Sequence, residues 1–205
     1  MKGLFITFEG GEGAGKTTLI DEIAKKLSPV CRAREPGGTG VGEKVRDLLL
    51  HQSAMSPYTE LCLFLASRAQ QIAEIIGPAL QQDRIVLCDR FNDSSIAYQG
   101  AARGLGMQKV ADFCDFICQG LQPNLTFYLD IDPKLGLARA KKNRSQDRIE
   151  AEEIAFHEKI REAYHILHRQ HPQRLHLLDA TKTPAEVFEE AMSIIHERIS
   201  KKSAR

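Results

Sequence analysis

Gly10-Gly11-Glu12-Gly13-Ala14-Gly15-Lys16-Thr17 fits the phosphate-binding pattern G-x-x-x-x-G-K-[ST]. The apolar run before it, Leu4-Phe5-Ile6-Thr7-Phe8, reads as a buried strand, and the segment after it, Thr17 to Leu27, is compatible with a helix. Strand, glycine-rich loop and helix is the setting in which this pattern cradles phosphates. The glycines let successive backbone N–H groups turn inward around phosphate oxygens, and the helix N-terminus adds its partial positive charge. On this reading Lys16 reaches the outer phosphates of a nucleoside triphosphate and the Thr17 hydroxyl ligates Mg²⁺. The competing reading is a glycine-rich turn that binds nothing.

A chain of 205 residues suits one domain with a substantial core. Lys+Arg 28 against Asp+Glu 27 leaves no global basic field of the kind nucleic acid would select. No apolar run approaches the roughly 20 residues that span a bilayer, and the N-terminus reads as a core strand instead of an export signal. Cys31, Cys62, Cys88, Cys114 and Cys118 do not form a disulfide framework, which points to the cytosol. Cys114 and Cys118 lie one helical turn apart with no further ligand at metal spacing, so a half-buried helix face is expected there.

Short apolar runs alternate with longer amphipathic ones, the pattern of a parallel sheet with helices on both faces. The predicted strands are 4–8, 30–34, 85–88, 125–129 and 175–178. The predicted helices are 17–27, 42–50, 57–80, 107–120, 133–142, 149–170 and 184–200. Ser56-Pro57 and Thr183-Pro184 make helix starts. In such folds ligands gather beyond the carboxyl ends of the strands, so the sequence after each strand bears on function.

After the second strand comes Arg34-Glu35-Pro36-Gly37-Gly38-Thr39-Gly40, a tight loop whose backbone can approach a ligand, with Arg34 placed to meet an anion; a surface turn is the alternative. After the third comes Asp89-Arg90, where the acid can serve Mg²⁺ and the arginine can grip a second phosphate bidentately. A structural ion pair competes with that. Ser94-Ser95-Ile96-Ala97-Tyr98-Gln99-Gly100 gathers hydroxyls, an amide and a phenol where a nucleoside could sit, or is polar helix surface. Phe64 and Arg68 are four apart on one helix face, suited to a planar base, or to a core phenylalanine beside a surface arginine. The basic run from Arg139 to Arg148 reads as a solvated loop, or as a lid that closes arginines over phosphates.

Together these motifs resemble the bacterial thymidylate kinase family. The matching segments run from Phe5 to Glu150: Phe8-Glu9-Gly10 through Thr18, Arg34-Glu35-Pro36-Gly37-Gly38-Thr39, Phe64 with Arg68, Asp89-Arg90 with Ser94, Ala97-Tyr98-Gln99-Gly100, and Asp147-Arg148-Ile149-Glu150. The resemblance implies an α/β P-loop fold, three-layer α/β/α, with a five-stranded parallel sheet and an arginine-containing lid near 139–149 inserted in a single domain, 1–205. It implies ATP and Mg²⁺, dTMP as acceptor, and a homodimer that needs neither membrane nor nucleic acid. Gly10, Gly11, Glu12, Gly13, Ala14, Gly15, Lys16, Thr17 and Thr18 would hold ATP phosphates, with Thr17 and Asp89 serving the metal. Glu12 would lie near the sugar 3′-hydroxyl, Arg34, Arg68 and Arg90 would border the acceptor, and Phe64 would stack on the base. Ser95 and Gln99 would line the base edge, while Tyr98 crowds the 2′ position. Lys16, Arg90, Arg148 and Glu12 are the catalytic candidates.

The family divides by whether an arginine stands in the P-loop or in the lid. Gly13-Ala14 carries none, so this chain resembles the lid-arginine group, with Arg148 as its leading cation and Arg144 displaced from the position the group implies. Rival readings are a kinase of UMP, CMP or AMP, a GTP-dependent switch and a silent ATP-binding module. A pyrimidine carbonyl opposite Arg68 disfavours cytosine. The chain has no Asn-Lys-x-Asp guanine motif, and no glycine follows Asp89-Arg90-Phe91-Asn92 as a switch would require.

Overall fold

The computed structural model describes residues 3–52, 54–141 and 148–203. Five parallel strands form one sheet in the order β2-β3-β1-β4-β5. They are β1 (Leu4–Gly10), β2 (Val30–Arg34), β3 (Ile85–Asp89), β4 (Leu125–Asp130) and β5 (Leu175–Asp179). All seven residues of β1 are buried, as a central strand covered on both faces must be. Leu4, Ile6 and Phe8 point to one face, where α1 (Lys16–Lys26) and α9 (Pro184–Ser203) cover them through Leu19, Ile20, Ile23, Ala191 and Ile195. Thr7 and Glu9 point to the other face, and the Thr7 hydroxyl pairs with that of Thr126 on β4 at 2.8 Å.

The second face is covered by α3 (Pro57–Gln71), α6 (Met107–Cys118) and α8 (Ile154–Gln170), packing Leu61, Leu65, Val110, Ile160 and Tyr164 with Tyr128. Each fully buried large apolar side chain here is worth about 1.5–3 kcal/mol. Between α1 and α3 lies α2 (Gly40–His51), which starts two residues earlier than the sequence predicts because Thr39 caps it: its Oγ1 accepts from Gly42 N at 2.9 Å. Ser56 caps α3 in the same way, with Pro57 in the first turn. The remaining α7 (Pro133–Lys141) follows β4. No described helix is long and apolar enough to cross a membrane.

Three departures from the expected elements are larger. The helix predicted over 57–80 does run on to Gln81, but as α3, a π-helical stretch Ile72–Ile76 and α4 (Gly77–Gln81). Pro78 explains the widening: proline donates no N–H and crowds the preceding turn, and Gly77 N–H reaches back to Ile72 O. The helix predicted from Ile149 begins at Ile154, because Arg148–Glu150 form a turn in which Ile149 and Glu150 are buried. The predicted helices leave out 92–102, where polar helix surface stands only as the alternative for 94–100, yet α5 (Asn92–Ser95) continues into a second π-helical stretch, Ile96–Ala102. Residues 92–100 are all buried, so they carry no polar face from which a helical period could be read.

Candidate active site

Beyond Gly10 the chain leaves β1 with Gly10, Gly13 and Gly15 at φ 143°, 67° and 93°, conformations open to glycine at little cost. Gly13 has a second constraint: a Cβ there would overlap the Gly136 carbonyl at the start of α7. No side chain fits at that point of the loop, arginine included. Lys16 opens α1 with its stem buried and donates from Nζ to Gly10 O at 3.1 Å and Gly11 O at 3.0 Å. Burial, and then the Arg90 charge, lowers its pKa against the pull of Glu12, Asp89 and Glu9.

The loop forms one end of a cleft of about 830 Å³. Glu12, Gly13, Ala14, Gly15, Lys16, Thr17 and Thr18 line that end. At the other stand Arg34, Phe64, Arg68, Asp89 and Arg90, with Ser95, Tyr98 and Gln99. The register explains the meeting: Phe8 of β1 and Arg34 of β2 both pair with Asp89 of β3, so three loops leave the sheet at one level. Gly10 and Gly11 lie behind the loop amides, outside the cleft lining.

At the end away from the loop Arg90 holds φ 70°, a strained conformation for a residue with a side chain. Its guanidinium donates to Glu12 Oε1 at 2.6 Å and to Ser94 Oγ at 3.2 Å, and lies 5.0 Å from the Tyr98 ring centroid. The Tyr98 hydroxyl is buried and has no hydrogen-bond partner among the described residues. Arg34 is half exposed and donates to Glu43 Oε1 of α2 at 2.7 Å.

Arg68 is not the surface arginine that its helix position allows: it is 1 % exposed. Its Nε donates to Glu35 Oε2 at 2.8 Å, and its NH2 group donates to Phe91 O and Ser95 Oγ, both at 3.0 Å. NH1 meets the Cys114 sulfur at 3.4 Å. Burial raises the Glu35 pKa despite Arg68 beside it, while Glu35 overcomes burial to raise that of Arg68. Cys114 and Cys118 are accordingly buried outright, not half buried.

Two carboxylates that motif reading passes over organise this end. Glu9 is wholly buried and accepts from Phe91 N at 2.8 Å, Ser94 Oγ at 2.5 Å and the Tyr164 hydroxyl at 2.8 Å. Burial pushes its carboxyl up to about 7, Asp93 adds to this, and Ser94, Arg90 and Tyr164 oppose it. Glu60, on α3, accepts from Gln99 Nε2 at 2.9 Å, Arg103 Nε at 3.1 Å and Arg148 NH2 at 2.6 Å. These bonds hold its pKa below the ordinary value although burial works the other way. The sequence signal for Glu9 is an acid inside an apolar run; Glu60 leaves none.

Arg148, the leading lid cation of the sequence reading, is engaged away from the cleft in the protein alone. Its guanidinium is on Glu60 and the Leu49 carbonyl, the latter at 3.1 Å, and it does not line the cleft. Arg139 does, while donating to Ala180 O at 2.9 Å. Arg144 and Asp147 lie outside the described residues.

The family model described as thymidylate kinase matches residues 8–191. The thymidylate kinase of Protochlamydia amoebophila is 48% identical over 213 residues, covering 97% of this chain and 95% of that protein. That of Bacillus pumilus is 43% identical over 98% of this chain and 99% of its own length. A crystal structure of thymidylate kinase from Ehrlichia chaffeensis superposes with a TM-score of 0.78 at 31% identity, covering 95% of this chain and 99% of that one. Similarity of this order, along nearly the whole of each chain and across the P-loop and acceptor loops alike, means that the chain belongs to the thymidylate kinase family.

Proposed function

We propose that the chain transfers the γ-phosphoryl group of ATP to dTMP, giving dTDP and ADP, the reaction its family name denotes. The observation that carries this reading is the single cleft with a phosphate-binding loop at one end and Phe64, Arg68, Arg90 and Tyr98 at the other. Its volume, about 830 Å³, lies in the upper part of the roughly 300–1,000 Å³ usual for ligand sites, as two nucleotides require. A coupled ADP-release assay across dTMP, UMP, CMP and AMP tests it. The highest kcat/KM is expected with dTMP, and an equal or higher value with any of the others overturns it.

Transfer of this kind needs an acceptor oxygen in line with the phosphoryl group, and cations where charge spreads. The dTMP phosphate is already anionic at neutral pH, so no general base is assigned. Arg90 grips that phosphate, Glu12 approaches the sugar 3′-hydroxyl, and Phe64 stacks on the base with Arg68 at its carbonyl and Ser95 near its edge. Because Gln99 commits its NH₂ to Glu60, it keeps its carbonyl oxygen for a ring N–H. Arg34 borders the acceptor from the cleft rim. Lys16 and the amides from Glu12 to Thr18 hold the ATP phosphates, with Gly10 and Gly11 shaping the loop outside the cleft lining.

The donor set also fits Mg²⁺. Asp89 Oδ1 is buried with no hydrogen-bond partner among the described residues, and with the Thr17 hydroxyl it offers the hard oxygen ligands that this ion takes, directly or through water. When bound, the ion would neutralise charge on the phosphate oxygens.

Arg148 must exchange Glu60 for phosphate oxygens when a lid over about 139–149 closes on the single domain. Arginines on a transferring phosphoryl group are worth up to roughly 10³–10⁵ in rate. Arg148→Ala is therefore expected to lower kcat by at least about 100-fold while the dTMP KM stays within about threefold. Steady-state kinetics with an unchanged turnover number would remove Arg148 from the transfer step.

Tyr98 sets the preference for deoxyribose. Tyr98→Ala is expected to raise kcat/KM for the ribonucleotide relative to dTMP by about tenfold, the scale of one lost steric exclusion. An unchanged ratio of the two specificity constants assigns the discrimination elsewhere.

The enzyme works in the cytoplasm as a homodimer. Phe113 and Phe116, 58% and 79% exposed on the outer face of α6, with Tyr58 at the start of α3 70% exposed, supply the apolar surface that a second copy would cover.

A further inference from the structure

We infer that Glu9 is the positioning residue for Arg90, fixing from beneath the sheet end the arginine that receives the acceptor phosphate. The inference rests on the reading of Arg90 given above. Glu9 occupies the last inward-facing position of β1, on the face opposite α1, and is 0% exposed. Its two oxygens hold both sides of the turn that carries Arg90. Oε1 accepts the N–H of Phe91, the residue after the strained φ 70° position. Oε2 accepts the Ser94 hydroxyl, whose oxygen in turn accepts from Arg90 NH1 at 3.2 Å. Tyr164 of α8 donates to the same oxygen at 2.8 Å and lies within 3.0 Å of Ser94 Oγ. Arg90 N–H itself bonds to Phe8 O, so the backbone of the turn is anchored on either side of the arginine.

A left-handed arginine relaxes unless its surroundings over-determine it. Here Glu9 is the group that does so, because it alone bonds both the backbone after Arg90 and the side chain that steadies the guanidinium. The chain Tyr164–Glu9–Ser94–Arg90–Glu12 runs from α8, through the floor of the site, to the P-loop. Buried networks of this kind specify one geometry when every member is satisfied. Glu9 touches neither substrate, so its effect reaches the reaction through where Arg90 points.

The test separates positioning from folding. Glu9→Gln keeps shape and the acceptor for Phe91 N–H but replaces the oxygen to which Ser94 and Tyr164 both donate. It is expected to raise the dTMP KM about tenfold, with the ATP KM within about twofold of wild type. Ser94→Ala, which cuts the link between Glu9 and the guanidinium but leaves Glu9 its bonds to Phe91 N and Tyr164, should move the dTMP KM the same way by about threefold. In an Arg90→Ala background Glu9→Gln should add less than about twofold, since the arginine it positions is gone. A merely structural Glu9 would lower the active fraction, leave both KM values unmoved and multiply with Arg90→Ala. Either unmoved dTMP KM in Glu9→Gln or Ser94→Ala, or full multiplicativity, overturns the proposal. If Arg90→Ala alone leaves the dTMP KM unchanged, the reading of Arg90 fails instead.

Discussion

Lys16→Met is expected to lower kcat by roughly 10²–10³-fold, the loss typical when one preorganised donor to a developing oxyanion is removed, without lowering thermal stability. Both halves follow from where the side chain sits. The Lys16 stem is buried at the first turn of α1, and methionine reproduces most of it. Its ammonium bonds only loop carbonyls, Gly10 O and Gly11 O, in the protein alone. Those carbonyls accept it in place of the phosphates the loop is shaped to hold. Burial lowers the pKa, so the fold disfavours the charged form. A lysine with a depressed folded pKa weakens the fold at every pH at which it is protonated. The deficit shrinks only as pH rises from that depressed value through the ordinary one of 10.5. Methionine removes this burden at neutral pH. A thermal melt and a coupled assay on the same preparation check the pair. A turnover number within about tenfold of wild type would mean that Lys16 does not stabilise the transfer.

That separation of stability from activity also marks what the sequence could and could not reveal. The five strands were legible because each is a short apolar run beside an amphipathic helix, and their ends place Lys16, Arg34, Asp89 and Arg90 at one edge of the sheet. Phe64 and Arg68 were legible as a pair because four residues make one helical turn. What the arginine meets was not, since Glu35 lies 33 residues away in sequence. Residues 92–100 show no helical period because all of them are buried. Nor does the basic run before Glu150 tell which anion each cation meets: Arg148 finds Glu60, 88 residues earlier. Glu9 differs, since a carboxylate inside an apolar strand demands partners from physical chemistry alone. The demand is visible in sequence, while Phe91, Ser94 and Tyr164, which meet it, emerge only from the fold.

Arg68→Met should lower the melting temperature by roughly 6–20 °C. Removing one partner of a buried ion pair costs about 3–5 kcal/mol, and each kcal/mol shifts a chain of this size by about 2–4 °C. The substitution leaves Glu35 buried without its guanidinium, and Glu35 Oε1 already has no hydrogen-bond partner among the described residues. It also takes the Arg68 donor from the Ser95 hydroxyl and from the Phe91 carbonyl, which keeps only Ser94 N–H of its two donors, and this loosens the turn behind Arg90. Removing both charges, with Arg68→Met and Glu35→Leu together, should recover part of the loss, because no uncompensated ion then remains buried. Recovery cannot extend to dTMP. With Nε and NH2 committed to protein, only NH1, held by no more than a weak contact to the Cys114 sulfur, has a hydrogen to give a base carbonyl. Both variants should therefore bind dTMP more weakly by about tenfold, the worth of one charge-assisted bond. Melting curves with and without dTMP read the two effects apart. A single variant that melts within about 2 °C of wild type would show that the pair is not what holds this end of the cleft together.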